Sequence, residues 1–244
     1  MSSKNAAVVI GVGPEVGLGA SLAKCFAQNG LHVFIAGRSD NKLQKVANSI
    51  RCCGGSTTSV VADATAENEV INLFEIIDSE GYALDIAAYN VDSNIQNPLL
   101  ETDTETFTDL WRQNCLGGFF FAKAALKMML AREKGSIFFT GASASLRARP
   151  PFTGFASAKA GLRALAQGMA REFSCQGIHV VHAVIDGVID GERARTQFPQ
   201  LVEAKGEDGL LHLDAIAQTY WAIHCQHPSA WTHELDLRPF KEVF

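Results

Sequence analysis

Apolar residues recur along the chain in short runs, and longer amphipathic stretches separate those runs. The first run, Ala6 to Ile10, is continuous rather than alternating, which is typical of a strand buried on both faces. Residues 41–51 instead have apolar side chains three and four positions apart, which is helical spacing. The runs predict strands at 6–10, 31–37, 56–62, 84–90, 135–140, 179–185 and 231–237. The amphipathic stretches predict helices at 20–29, 41–51, 104–130, 155–173 and 213–224, and one around Val70 to Ile77.

This alternation of strands and helices is typical of a parallel sheet whose crossover helices cover both faces. We therefore expect an α/β fold, a doubly wound parallel sheet of about seven strands in a three-layer αβα arrangement. No repeat, low-complexity tract or linker interrupts the pattern, and 244 residues suit one domain. The sequence predicts a single domain over 1–244.

The bulk composition excludes several classes of partner. Hydrophobic residues make up 47% of the chain and charged residues 19%, and the net charge of -5 argues against nucleic acid or an anionic membrane. There is no apolar stretch long enough to span a bilayer and no secretory signal pattern, which predicts a cytoplasmic protein. The six cysteines lack metal-ligand spacing, so we expect reduced thiols and no metal site.

Glycines cluster between the first strand and the first helix, at Gly13, Gly17 and Gly19, with Leu18 among them. Glycine lets a backbone turn tightly and approach a phosphate, and the N-terminus of the following helix attracts an anion. The turn predicts a dinucleotide pyrophosphate site. A glycine turn that serves packing alone is the alternative reading of this stretch.

The spacing Gly-x-x-x-Gly-x-Gly resembles that of the short-chain dehydrogenase/reductase family, and later motifs extend the resemblance over nearly the whole chain. It implies a Rossmann-like fold and a small-molecule substrate, with hydride passing between a nicotinamide and a carbonyl, an alcohol or a C=C bond. Val12 stands where the family usually has Thr.

The end of the second strand, Gly37-Arg38-Ser39, bears on cofactor choice. A carboxylate there would bind the ribose hydroxyls of NAD, whereas Arg38 can pair with the 2′-phosphate of NADP. The resemblance thus favours NADP(H) over NAD(H). The second basic residue that many NADP-dependent members carry in the glycine turn is absent, with Val16 in its neighbourhood, and Arg38 as a solvated loop cation is the alternative.

The resemblance extends the cofactor site to later strand ends. Asp63 and Ala64 resemble the family's Asp-x-Thr beside adenine, and Asp63 could instead cap a helix. Asn90 is what remains of the family's Asn-Asn-Ala-Gly, because the chain has Tyr89-Asn90-Val91-Asp92 there. Gly187 and Val188 fit the loop that wraps the carboxamide of nicotinamide.

The family's catalytic pattern is a Ser, then Tyr-x-x-x-Lys on one helical face. By this resemblance Lys159 is the lysine, and Phe155 occupies the tyrosine position, where it cannot donate a proton. Asn114 matches the Asn whose main chain holds a water next to that lysine. Ser143 is the nearest serine, although Ala142 falls at the serine position by direct counting.

The missing acid leaves two functions open. One is an oxidoreductase with a substitute donor: Tyr89, Ser143, a water on Lys159, or a buried carboxylate at Asp186 or Asp190. The other is a catalytically silent nucleotide-binding or interaction protein. The retention of Lys159, Asn114 and the glycine turn favours the enzyme.

Two regions carry the remaining expectations. Residues at about 190–211 are polar and resemble the family's variable substrate lid. The helices at 104–130 and 155–173 are where family members commonly associate, so the resemblance implies a homodimer or homotetramer.

Overall fold

The computed structural model describes residues 4–242, so the outermost positions of the predicted domain, 1–3 and 243–244, lie outside it. One parallel sheet has the strand order β3-β2-β1-β4-β5-β6-β7. Its strands are β1 (Lys4–Ile10), β2 (His32–Gly37), β3 (Ser56–Val61), β4 (Tyr82–Tyr89), β5 (Gly135–Thr140), β6 (Ile178–Ile185) and β7 (Glu234–Leu237). The predicted doubly wound α/β fold is confirmed.

Helices form a layer on each side of the sheet. The α-helices are α1 (Leu18–Gln28), α2 (Asp40–Cys52), α3 (Glu67–Ser79), α4 (Thr104–Trp111), α5 (Gly117–Leu130), α6 (Thr153–Phe173), α7 (Glu192–Gln197), α8 (Pro199–Lys205) and α9 (Leu213–His224). Helices α1, α2 and α9 cover one face, and α3, α5 and α6 cover the other. The two hydrophobic cores therefore lie on opposite sides of the sheet.

Strand β1 explains why its sequence is continuously apolar. Ala6, Val8 and Ile10 belong to the core under α3, α5 and α6, whereas Ala7 and Val9 belong to the opposite core. Successive side chains of a strand point to opposite faces, so a central strand between two helix layers needs apolar residues at every position.

The predicted helix at 104–130 is wrong as a single α-helix. Residues Arg112–Leu116 form a π turn between α4 and α5, and the Gly117 N–H donates to the Arg112 carbonyl five residues back. Such a turn inserts one extra residue while the helix axis continues, and π turns are frequent at functional sites. Asn114 lies within it.

The strand order reverses between β1 and β4, because the chain winds outward from β1 to β3 and then returns to β1's other side. In open α/β sheets the loops diverge at such a point and leave a crevice at the carboxyl ends of the strands. The glycine turn after β1 and the loop after β4 both begin at this crevice.

The predicted lid at 190–211 contains the short helices α7 and α8. It is tied at both ends, because Ile189 pairs with Leu211 as an isolated parallel bridge. Within residues 4–242, no helix has both the length and the apolar character needed to cross a bilayer.

Candidate active site

A cleft of about 1040 Å³ lies at the carboxyl ends of the strands. It brings together residues from the glycine turn, from the ends of β2 through β6 and from α6 and α7. The predicted cofactor residues that line it are Gly13, Gly17, Leu18, Gly19, Arg38, Asp63, Ala64, Asn90, Lys159, Gly187 and Val188. Sequence positions almost 180 residues apart therefore meet at one surface.

Two glycines after β1 are required by close packing of backbone against backbone. Gly11 has φ +91°, and a Cβ on Gly19 would lie 2.8 Å from the Gly11 carbonyl oxygen. Gly13 differs, since a Cβ there would meet no protein atom within 4 Å. Gly13 faces open space at the cleft, whereas Gly19 is needed for packing.

The turn fits the pyrophosphate of a dinucleotide. Helix α1 begins without a side-chain cap, and its N-terminus is at the cleft through Gly17 and Leu18. Uncapped N–H groups and the positive end of the helix dipole favour an anion there. The open space beside Gly13 provides room for that anion.

One end of the cleft is basic. Arg38 and Lys42 both line it and are exposed, and within the described residues no carboxylate lies in salt-bridge range of either. Asp63 also lines this end, where its Oδ1 accepts hydrogen bonds from the Thr65 backbone and hydroxyl at 2.8 Å. Asp63 thus organises the turn before α3, whose N-cap residue is Ala66.

Lys159 lies at the other end with a side chain only 1% exposed. Its Nζ donates to the Thr140 carbonyl oxygen at 3.0 Å and to the Val91 carbonyl oxygen at 3.4 Å. The ammonium lies 5.7 Å from the centre of the Phe155 ring, one helical turn earlier on α6. Phe155 and Ser143 also line the cleft, so three of the predicted catalytic positions, Ser143, Phe155 and Lys159, share it.

Asn114 is fully buried and supports the loop after β4. Its Nδ2 donates to the Leu110 carbonyl at 2.9 Å and to the Ser93 carbonyl at 3.0 Å, and its Oδ1 accepts from the Ser93 N–H at 3.3 Å. An Asn side chain inside a helix competes for backbone hydrogen-bonding groups. Here Asn114 lies in the π turn, where its side chain bonds the Leu110 carbonyl. The side chain therefore fixes the position of the residue next to Asp92.

Tyr89 is excluded as a substitute acid. It is buried in the core, and its hydroxyl donates to the Gln113 carbonyl at 2.5 Å. Burial strongly raises the pKa of this phenol. Tyr220 is also buried with a raised pKa, and it contacts the Thr140 hydroxyl. Neither tyrosine can deliver a proton to the cleft.

The two aspartates after β6 are also wrong as proton donors. Ile185 and Gly187 line the cleft, but the Asp186 carboxylate between them is paired with Arg147 and Arg238 at 2.6 Å. Asp190 is held by Arg195, with Nε 2.7 Å from Oδ1. Both carboxylates are therefore held by guanidinium groups and are not directed at a substrate in the cleft.

The C-terminal strand β7 supplies an ion-pair partner for helix α6. Glu234 on β7 accepts two hydrogen bonds from Arg163 of α6 and one from His182 of β6. Burial lowers the pKa of His182 to about 4, which opposes the effect of Glu234. His179 likewise has a local role, since its Nε2 bonds to the Thr232 carbonyl. The tail thus fixes the helix that carries Lys159.

Sequence reasoning missed three charged residues at the cleft: Lys42, Asp92 as a partner of Lys159, and Arg193. Lys42 is the third residue of α2, so its position relative to Arg38 depends on where the helix starts. Arg193 lies about a hundred residues from the loop that it contacts, and the sequence carries no signal for that contact.

The lid side of the cleft is apolar. Phe152 and Phe155 come from the start of α6, Phe198 and Leu201 come from the lid, and Ile95 comes from the loop after β4. Phe198 and Leu201 are partly exposed to solvent, so this wall is accessible from the cleft mouth. It can receive an apolar group next to Lys159.

Several known proteins are similar to this chain in sequence or in structure. A family model described as short chain dehydrogenase matches residues 5–201. A solved short-chain dehydrogenase from Rhodopseudomonas palustris is 36% identical with a TM-score of 0.83, over 97% of this chain and 99% of that one.

A relative from Melia azedarach, (21S)-21-acetoxyl-apo-melianone synthase SDR, is 29% identical over 91% of this chain and 84% of its own length. An NADPH-bound short-chain oxidoreductase from Pseudomonas aeruginosa PAO1, described as containing an atypical catalytic center, has a TM-score of 0.87. It is 19% identical and covers 98% of this chain and 96% of its own, a likeness that concerns the fold.

Proposed function

Because the chain belongs to the short-chain dehydrogenase/reductase family of oxidoreductases, we propose that it transfers hydride between NADP(H) and a carbonyl or alcohol substrate, without the usual tyrosine. The observation that supports this most is the buried Lys159 ammonium at the end of a cleft whose other end is basic. NADPH would supply the hydride, and the protein must supply a proton and hold both reactants.

Each cleft residue has a proposed role. The glycine turn and α1 hold the pyrophosphate, Asp63 and Ala64 flank the adenine, and Gly187 and Val188 contact the carboxamide. Asn90 braces the turn, since its Nδ2 donates to the Gly11 carbonyl at 3.4 Å and its Oδ1 accepts from Thr140 at 3.1 Å.

Lys159 binds the ribose and, through a bound water, donates the proton that the substrate oxygen takes up. The Ser143 hydroxyl orients that oxygen, and Asn114 supports the relay to solvent by fixing the loop beside Lys159.

The basic end of the cleft predicts the cofactor preference. We expect NADPH to bind more tightly than NADH, and Arg38→Ala to weaken NADPH binding about tenfold with little change for NADH. The reason is that only NADPH carries the 2′-phosphate that a guanidinium can pair with. Fluorescence titration of both cofactors measures this, with Lys45→Ala as a matched control on the exposed face of α2.

The same protein should then oxidise NADPH when offered a panel of apolar ketones, aldehydes and enones. Absence of NADPH binding would reject the cofactor assignment and with it the proposed reaction. Binding without turnover would favour the second candidate, a silent nucleotide-binding protein, for which Phe155 is the supporting observation.

We also propose that residues at about 190–211 act as a substrate lid, that 1–244 form one domain, and that the protein is cytoplasmic. The apolar side chains Phe198 and Leu201 face the cleft, as a lid over an apolar substrate requires. All six cysteines lie among the described residues as free thiols, which suits a reducing compartment.

Self-association is proposed through α5 and α6. A groove of about 350 Å³ between them is lined mainly by apolar side chains, among them Phe119, Leu126, Leu165 and Phe173. Phe119 is 42% exposed in this groove. Light scattering should give the mass of a dimer or tetramer, and Leu126→Asp should yield a monomer because it places a charge in the groove. A monomeric natural protein would contradict this.

A further inference from the structure

Asp92 lies between two cations that belong to different parts of the fold. Its Oδ1 is 3.4 Å from Lys159 Nζ, and its Oδ2 is 3.7 Å from a guanidinium nitrogen of Arg193 in α7. The Asp92 side chain is 41% exposed and that of Arg193 is 50% exposed, whereas Lys159 is buried. The carboxylate therefore joins a buried ammonium to the lid.

Lys159 needs an anionic partner for a physical reason. Its other acceptors, the carbonyls of Thr140 and Val91, are neutral, and Phe155 offers no hydrogen-bonding group. Across the described part of the chain, Asp92 is the one carboxylate within 4 Å of this ammonium. Removing the Asp92 carboxylate would leave the buried ammonium without an anionic partner.

The loop that carries Asp92 is held from two sides. On the side of the π turn, Asn114 hydrogen-bonds both backbone groups of Ser93. On the side of the lid, Arg193 donates to the backbone and side-chain oxygens of Asn94. The lid also contacts the glycine turn, because the Glu192 N–H donates to the Val16 carbonyl at 2.8 Å. Asp92 thus lies at the point where loop, lid and lysine meet.

We propose that Asp92 is a positioning residue that holds the Lys159 ammonium in place and that also fastens the lid through Arg193. It acts through Lys159 and not on the substrate. The catalytic use of Lys159 rests on the proposed function, but the two contacts of Asp92 do not, so they can be tested without a cofactor.

The test uses the full chain with Asp92→Asn, Asp92→Glu and Arg193→Gln. One readout is acetylation of Lys159 by acetic anhydride, followed by mass spectrometry, since an amine held in an ion pair reacts more slowly than one released from it. The other is the rate of tryptic cleavage after Arg195 in the lid. Asp78→Asn is the matched control, because it removes an exposed carboxylate from α3, far along the chain from the lid.

Asp92→Asn should raise both Lys159 acetylation and lid cleavage about fivefold, the size expected for a partly exposed ion pair. Asp92→Glu should restore both in part, and Asp78→Asn should change neither. Arg193→Gln should raise cleavage while leaving acetylation near that of the natural protein, because the carboxylate still faces Lys159. Unchanged acetylation in Asp92→Asn, or acetylation that rises equally in Arg193→Gln, would overturn the proposal.

The outcome also separates this proposal from the proposed function. If both readouts respond as expected and NADPH does not bind, the role of Asp92 stands and the oxidoreductase proposal fails. If NADPH binds and is turned over while neither readout responds to Asp92→Asn, the reverse holds.

Discussion

Phe155→Tyr is expected to raise the rate of NADPH-dependent carbonyl reduction by about 100-fold or more, the usual contribution of a positioned general acid. Phe155 lines the cleft and lies one helical turn before Lys159, whose ammonium is 5.7 Å from the ring centre. A phenol on this ring would gain the neighbour that makes tyrosine a usable acid, a buried ammonium. Steady-state turnover of one ketone at saturating NADPH measures the gain.

Phe152→Tyr is the matched control for this prediction. Phe152 also lines the cleft, but it lies seven residues before Lys159, a spacing seen in some enoyl reductases. A gain with a ketone only in Phe155→Tyr supports the assigned geometry, whereas a gain with an enone only in Phe152→Tyr would point to reduction of a C=C bond.

Adding Lys159→Met to Phe155→Tyr should remove the gain. Turnover in Phe155→Tyr but none in the natural protein would instead identify a silent member of the family.

The strands were predictable because they lie between two helix layers. Positions 6–10 of β1 are all buried, so the sequence has to be continuously apolar there, and β5 was predicted with its exact bounds. Strand β7 is shorter than predicted, since only Glu234–Leu237 pair with β6 at the sheet edge. An edge strand has one neighbour, and its burial pattern is weaker.

The π turn could not be predicted from periodicity. One extra residue between α4 and α5 shifts the helical phase by one position, but α5 is so rich in apolar residues that the shift does not show in the pattern of 104–130. The signal was Asn114, a poor helix-interior residue whose side chain bonds the Leu110 carbonyl at this turn. Asn114 was interpreted through the resemblance alone, and the irregularity of the helix was not predicted.

The candidate substitute acids show more clearly what could not be predicted from the sequence. Asp186 had the chemistry of a proton donor, but its partners Arg147 and Arg238 lie 39 and 52 residues away in sequence. Whether a carboxylate is a reactive group or one member of an ion-pair cluster depends on such distant partners. The burial of Tyr89 under α5 could not be predicted either. Its strand ends at the cleft, but the Tyr89 ring packs in the hydrophobic core.

Gly13→Val is expected to weaken NADPH binding by about 100-fold or more while leaving the thermal midpoint close to that of the natural protein. Gly13 lines the cleft, and a Cβ there would meet no protein atom within 4 Å, so the folded chain has room for the side chain. The added methyl groups would occupy space that the pyrophosphate needs, since a glycine turn works by letting the backbone approach the phosphates. Fluorescence titration with NADPH and thermal unfolding measure the two quantities.

Gly19→Val serves as the comparison, because we expect it to destabilise the fold, which Gly13→Val should leave intact. A Cβ on Gly19 would lie 2.8 Å from the Gly11 carbonyl oxygen and 3.0 Å from the Val12 Cα, both backbone atoms that cannot rotate away. We therefore expect it to lower the free energy of unfolding by roughly 1–3 kcal/mol, the usual cost of overpacking. If Gly13→Val bound NADPH as tightly as the natural protein, the turn would not contact the phosphates. The assignment of Lys159 to the nicotinamide ribose would then fail as well, because it depends on the pyrophosphate lying at the glycine turn.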